Sequence, residues 1–125
     1  MVTTLYERAG GQPFFTALVD RFYAGVRTDP VLLPLYPEAD LAPAARRLAL
    51  FLAQYWGAPG TYSAERGHPR LRMRHDPFPI GAHERDRWLT HMRAAVEQSD
   101  ATPDVAAELL GYFDMAAEAM RNQPR

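Results

Sequence analysis

"RLRMRHDPFPIG", Arg70 to Gly81, places three arginines and a histidine in six residues and two prolines in the next five. Proline lacks a backbone N–H and clashes with the preceding helical turn, so no helix runs through this stretch. Leu71 lies three residues before Arg74 and four before His75, the spacing of one helical face. His75 therefore ends a short amphipathic segment, and the chain turns away immediately after it. A histidine so placed can face a pocket while its arginine neighbours sit at the rim. The charge could serve a nucleic acid, a metal ion or an anionic cofactor.

Composition narrows that choice. The chain has 125 residues and a formal net charge of −1. A near-neutral chain has no general electrostatic grip on nucleic acid. All 14 basic residues are arginines, and four of them fall between Arg66 and Arg74, so the basic feature is local and its target is small. There are no cysteines. Thiol catalysis, disulfides and cysteine-ligated zinc or iron–sulfur clusters are excluded, and the absence fits a reducing compartment. No apolar run approaches the ~20 residues of a membrane span, and the N-terminus lacks the pattern of a signal peptide. A cytoplasmic protein is expected, without stable membrane insertion. A chain of this length suits one domain over residues 1–125, burying roughly two-thirds of its unfolded surface.

Eleven prolines divide the chain, and helices can run in the long intervals between them. Within 14–29, Phe15, Leu18, Val19, Phe22, Tyr23 and Val26 form a stripe at three- and four-residue spacing, with Pro13 well placed just inside the helix start. Residues 44–56 repeat the pattern through Leu48, Phe51, Leu52 and Tyr55, and Gly57 and Pro59 end it. Trp88, Met92, Ala95, Val96 and Ser99 share one side of 82–99. Thr102 can cap a last helix with Pro103 at its first position and a stripe of Leu109, Phe113, Ala116 and Met120. Thr4 and Glu7 have capping-box spacing, but Gly10 and Gly11 leave room for only a short helix. Residues 29–43 hold a turn or two at most, and 57–70 read as a long irregular connection. "RLRMR" alternates like a strand, yet Pro69 and Pro77 box it in and no partner strand is evident. The chain reads as all-α.

Several chemistries fit poorly. The histidines, His68, His75, His83 and His91, stand seven or eight residues apart, which is not the close helical spacing of a zinc site. "AGGQPF" lacks the Lys-Ser/Thr of a phosphate loop. Ser63 and Ser99, the only serines, sit in no nucleophile turn. Tyr23, Tyr36 and Trp88 are polar aromatics among apolar neighbours. Each alone fits core packing with a local partner for its polar atom. Three donors aimed into one core need an acceptor there, and an iron-bound diatomic ligand would supply it. A haem would also use the layout at His75, with imidazole to iron and arginines to the two propionates.

These residues carry a family resemblance over essentially the whole chain. "RFYAGV" with Tyr23, "LYPEADLA" with Tyr36, "RLALFLAQYWG", "GTYSAERGHPRLRMRH" with His75 and "ERDRWL" with Trp88 resemble the group II truncated haemoglobins in their actinobacterial form. The tryptophan is a hallmark of groups II and III. The resemblance implies a two-over-two helical sandwich around haem b (iron protoporphyrin IX), with helices at 14–27, 44–56, 82–99 and 103–121. It makes His75 the iron ligand, and Tyr23 and Trp88 hydrogen-bond donors to the bound ligand. Tyr36 takes a loop position where most globins have phenylalanine. Ala44 takes the distal gate, with Leu48 above the haem. Phe51, Leu52, Met73, Phe78, Ile80, Met92 and Phe113 would line the pocket. Arg74 would face the propionates, with Tyr62, Arg70 or His68 as further candidates. Asp76 departs from the small apolar residue common after this histidine, and it could pair with Arg74 instead.

The implied function is reversible binding of O2, CO and NO. Donors at Tyr23 and Trp88 would slow O2 release, which favours sensing, storage or redox chemistry on oxygen, nitric oxide or peroxide over bulk transport. Weak peroxidase or NO-dioxygenase activity, served by an unidentified reductase, belongs to the same expectation. Exposed Tyr, Trp or Arg residues could serve a homo-oligomer interface. The rival reading is a non-haem helical module whose arginines bind nucleic acid or an acidic partner.

Overall fold

The stripe on residues 12–26 buries completely. Phe15, Leu18, Val19, Phe22, Tyr23 and Val26 are each at most 5% exposed in the computed structural model, which describes residues 3–36, 40–58, 60–67 and 70–123. They lie on α2 (Gln12–Val26), which follows the short α1 (Leu5–Ala9). A 3-10 turn spans Leu33–Leu35. Then come α3 (Ala42–Tyr55), α4 (Thr61–Arg66), α5 (Leu71–His75), α6 (Ala82–Glu97) and α7 (Pro103–Ala119). All described elements are helical. Helix α2 packs on both α3 and α6, and α6 packs on α7. The result is two helix pairs laid across each other, the two-over-two sandwich.

The ends of the helices follow local chemistry. The Thr4 hydroxyl accepts from the Glu7 amide at 3.1 Å, the expected cap of α1. Gly81 N donates to Glu84 Oε1 at 2.8 Å at the start of α6. Thr102 stands at the N-cap of α7 but makes no side-chain cap bond; its hydroxyl donates to Asp104 Oδ1 at 2.5 Å instead. Gly57, at φ 122°, follows α3, and a Cβ there would lie 2.7 Å from Thr4. Only glycine lets α1 close onto this corner. In the core Trp56 meets Phe15, Tyr112 and Phe113, with centroids 5.0–6.0 Å apart. Each fully buried aromatic contributes on the order of 2–3 kcal/mol.

The connection at 57–70, expected to be irregular, contains α4. Its six residues carry no stripe, and side chains from α3 hold it. Gln54 donates to Ser63 Oγ at 2.8 Å and accepts from Ser63 N at 3.0 Å. Arg46 grips Glu65 with two bonds of 2.7 and 2.8 Å. Tyr62 is thereby buried edge-on against Phe51, centroids 5.4 Å apart.

Candidate functional site

Helix α5 is one and a half turns long, and its own backbone orients the histidine at its end. His75 Nδ1 lies 2.7 Å from the Leu71 carbonyl oxygen, one turn earlier. A carbonyl only accepts, so Nδ1 carries the proton and donates. In the neutral ring this leaves the Nε2 lone pair as the coordinating atom. A backbone carbonyl that fixes the tautomer and orients the ring is the usual support of a metal-bound imidazole.

The ring borders a cavity of about 430 Å³, within the roughly 300–1,000 Å³ of small-molecule and cofactor sites. Helix α5 and the segment after it contribute Leu71, Arg74, His75, Phe78 and Ile80 to its walls. Tyr23 comes from α2, Tyr36 from the end of the 3-10 turn, and Ala44, Leu48, Phe51 and Leu52 from α3. Tyr62, Trp88 and Phe113 also line it. Leu32, Leu35 and Leu41 add apolar surface from the proline-rich segment that the helical periodicity did not single out.

Three expected residues stand elsewhere. Met73 is 58% exposed. It is two residues from both Leu71 and His75, which turns it to the opposite face of α5. Met92 is fully buried but does not line the cavity. It lies one turn beyond Trp88 on α6, far enough along the axis to enter the helix–helix core. Arg70 is exposed at the N-cap of α5, in the left-handed region at φ 45°, and is not part of the lining. His68 lies outside the described residues. Arg74 does line the cavity; its guanidinium stands 6.0 Å over the Tyr62 ring, and Nη2 donates to the Arg66 carbonyl at 2.8 Å. Arg47 and Arg66 also border the cavity, so the cationic set extends beyond the 70–74 stretch.

The three polar aromatics all line this cavity. Tyr23 and Tyr36 meet edge to face, centroids 5.6 Å apart. Trp88 packs on Phe22 at 5.1 Å and Phe113 at 5.7 Å. Burial, then the neighbouring Tyr36 and its hydrogen bond, push the Tyr23 phenol far above its ordinary range. Burial likewise raises Tyr36. Both therefore keep their protons at neutral pH and remain donors.

This set fits an iron porphyrin. It offers one imidazole with a fixed tautomer, largely apolar walls and several arginines suited to two carboxylates. No group of three or more histidine or carboxylate ligands exists among the described residues, so a protein-ligated metal centre of that kind has no donor set here.

A model of the bacterial-like globin family matches residues 4–122. The chain belongs to this family. Group 2 truncated hemoglobin YjbI of Bacillus subtilis is 41% identical over 118 residues, covering 94% of this chain and 88% of that protein. The solved thermostable hemoglobin of the actinobacterium Thermobifida fusca shares 59% identity and a TM-score of 0.96, covering 98% of this chain and all (100%) of that one. The truncated oxygen-avid haemoglobin of Bacillus subtilis shares 38% identity and a TM-score of 0.90, over 96% of this chain and 100% of that chain. This globin is thus of the group II truncated type, with haem as its cofactor and oxygen as its ligand. The non-haem interaction module has no support among these relatives. No helix among the described residues is long and apolar enough to cross a membrane.

Proposed function

We propose that this globin holds haem b through His75 and retains O2 by hydrogen bonds from Tyr23, Trp88 and Tyr36. The observation that carries the reading is the Nδ1 bond to Leu71, made by a histidine that shares its cavity with all three donors. Haem supplies a ferrous iron able to take O2, CO or NO. The chain's own residues decide what stays. His75 presents Nε2 with its ring orientation fixed. Arg47, Arg66 and Arg74 border the cavity and suit the propionates, and the leucines and phenylalanines of the wall exclude water. The phenols and the indole N–H stabilise negative charge as it develops on a bound ligand.

Each hydrogen bond to a charged acceptor contributes about 1.5–3 kcal/mol. Two of them slow O2 release by roughly two to four orders of magnitude, at about 1.4 kcal/mol per factor of ten. Slow release suits sensing, storage at low oxygen, or redox chemistry on oxygen, nitric oxide or peroxide fed by a reductase, better than bulk transport. The oxygen-avid relative from Bacillus subtilis supports this direction.

The test is His75→Gly. The variant should lose the five-coordinate ferrous spectrum and regain it with added imidazole. A parental spectrum without imidazole refutes His75 as the ligand.

A further inference from the structure

The most deeply buried charge in the described structure is not in the cavity wall. The Asp29 side chain is 0% exposed. Its Oδ1 accepts from Val31 N at 2.8 Å and Leu32 N at 3.3 Å. Its Oδ2 accepts from His91 Nε2 at 2.6 Å and Arg87 Nε at 3.0 Å. The His91 ring in turn lies against α2, where a Cβ on Gly25 would stand 2.3 Å from Nδ1. The carboxylate therefore ties the turn after α2 to α6, and the His91 ring carries the contact on to α2.

Those elements carry the three donors. Tyr23 is two residues before Gly25, Tyr36 ends the 3-10 turn, and Trp88 follows Arg87 directly. Leu32, whose amide Asp29 binds, lines the cavity itself. Arg87 and His91 are four residues apart and share a face of α6, with Trp88 about 100° around the helix from Arg87. Neither Asp29, Arg87 nor His91 lines the cavity. Apolar side chains of equal volume often stabilise a fold as well as a buried ion pair does. What this network adds is fixed geometry among elements that apolar packing alone would let slide.

We propose that Asp29 is a positioning residue for oxygen retention: through Arg87, His91 and the amides of Val31 and Leu32 it sets the distance between Trp88 and the Tyr23–Tyr36 pair. The inference rests on the donor reading above. It requires that Asp29 act on ligand release without touching the ligand.

The experiment uses the full-length, haem-loaded protein and two readouts, the O2 dissociation rate and the C–O stretch of the CO complex. Asp29→Asn keeps the shape but replaces Oδ2 or Oδ1 with an NH2 that cannot accept. It should speed O2 release by roughly fivefold or more, as one donor loses part of its hydrogen bond, and split or broaden the C–O band. His91→Leu should follow it. His91→Gln, which restores an N–H donor, should stay within about twofold of the parent, as the retained bond requires. If Asp29→Asn does not fold, Arg87→Met removes one of the same bonds at a side chain 40% exposed, and should show a smaller change in the same direction. A parental rate and a single sharp C–O band in Asp29→Asn, or in Arg87→Met where only that folds, overturns the proposal even if melting temperature falls. Trp88→Phe and Tyr23→Phe run alongside. If they too leave O2 release unchanged, the donor reading itself has failed; if they speed it while Asp29→Asn does not, only the positioning role has failed.

Discussion

Replacing Trp88 by phenylalanine isolates one hydrogen bond. The indole packs on Phe22 and Phe113 with centroids 5.1 and 5.7 Å away, and a phenyl ring can keep both contacts. What the variant loses is the N–H. A hydrogen bond to a charged acceptor contributes about 1.5–3 kcal/mol. That range converts to about a 10- to 150-fold faster O2 dissociation. The assay is stopped-flow mixing of the oxygenated protein with dithionite and CO. The control is CO dissociation from the same variant. CO develops far less negative charge at its outer atom, so a lost donor should barely change it. A rate for O2 within twofold of the parent refutes Trp88 as a donor. Equal acceleration of O2 and CO refutes the electrostatic account and points to altered packing.

Three other expectations concern entry, acid stability and the proximal segment. Ala44 lines the cavity from the first turn of α3, so Ala44→Phe should slow bimolecular CO rebinding after flash photolysis, by about tenfold if the ring closes the gate; unchanged kinetics would remove Ala44 from the entry route. Burial alone would raise the Asp29 pKa, but the bonds from His91, Val31 N, Arg87 and Leu32 N outweigh it and hold it below its ordinary 3.8. Its stabilisation is thus complete above about pH 4 and is lost as pH falls through the depressed folded value, so melting curves of Asp29→Asn should depend less on pH below 4 than those of the parent. Asn122 donates to the Phe78 and His75 carbonyls at 2.8 and 3.3 Å and accepts from Ile80 N at 2.9 Å; Asn122→Ala should cost about 1–2 kcal/mol in a denaturant melt and hasten haem transfer to an acceptor globin, and equal transfer rates would show that this latch does not support the proximal segment.

Much of this was legible because it is periodic or local. The stripe from Phe15 to Val26 states its helix in 3.6-residue spacing, and the ends differ from the expected bounds by only two residues at 44–56, 82–99 and 103–121. His75 was legible because Leu71, Arg74 and the two following prolines confine it within ten residues. What escaped is held by partners far along the chain. Helix α4 depends on Gln54 and Arg46, nine and 19 residues from their partners. Asp29 reads as an ordinary turn residue before proline, since Arg87 and His91 lie 58 and 62 residues away. Asn122 looks like a helix-end residue, and its partners Phe78 and His75 are 44 and 47 residues back. Met73 and Met92 show the limit of proximity along the chain: which face of α5 and which turn of α6 each occupies decides whether it meets the cavity.

The choice of donors has a consequence for how this globin responds to its surroundings. A histidine in the distal wall would titrate near its ordinary pKa of about 6.5 and switch its hydrogen bonding within the physiological range. Here the proposed donors are instead the Tyr23 and Tyr36 phenols and the Trp88 indole. Burial drives Tyr23 and Tyr36 upward from an ordinary value of 10.0, so both are protonated at neutral pH, and an indole N–H does not titrate at all. The arginines that border the cavity are likewise always charged. Two further ionisable side chains of the described wall are engaged by backbone: His75 Nδ1 donates to the Leu71 carbonyl, and Glu84 Oε1 accepts from Gly81 N. Oxygen release should therefore be flat, within about twofold, from pH 6 to pH 9. A steep change across that interval, measured by the same stopped-flow exchange, would mean that a titrating group outside this wall governs retention.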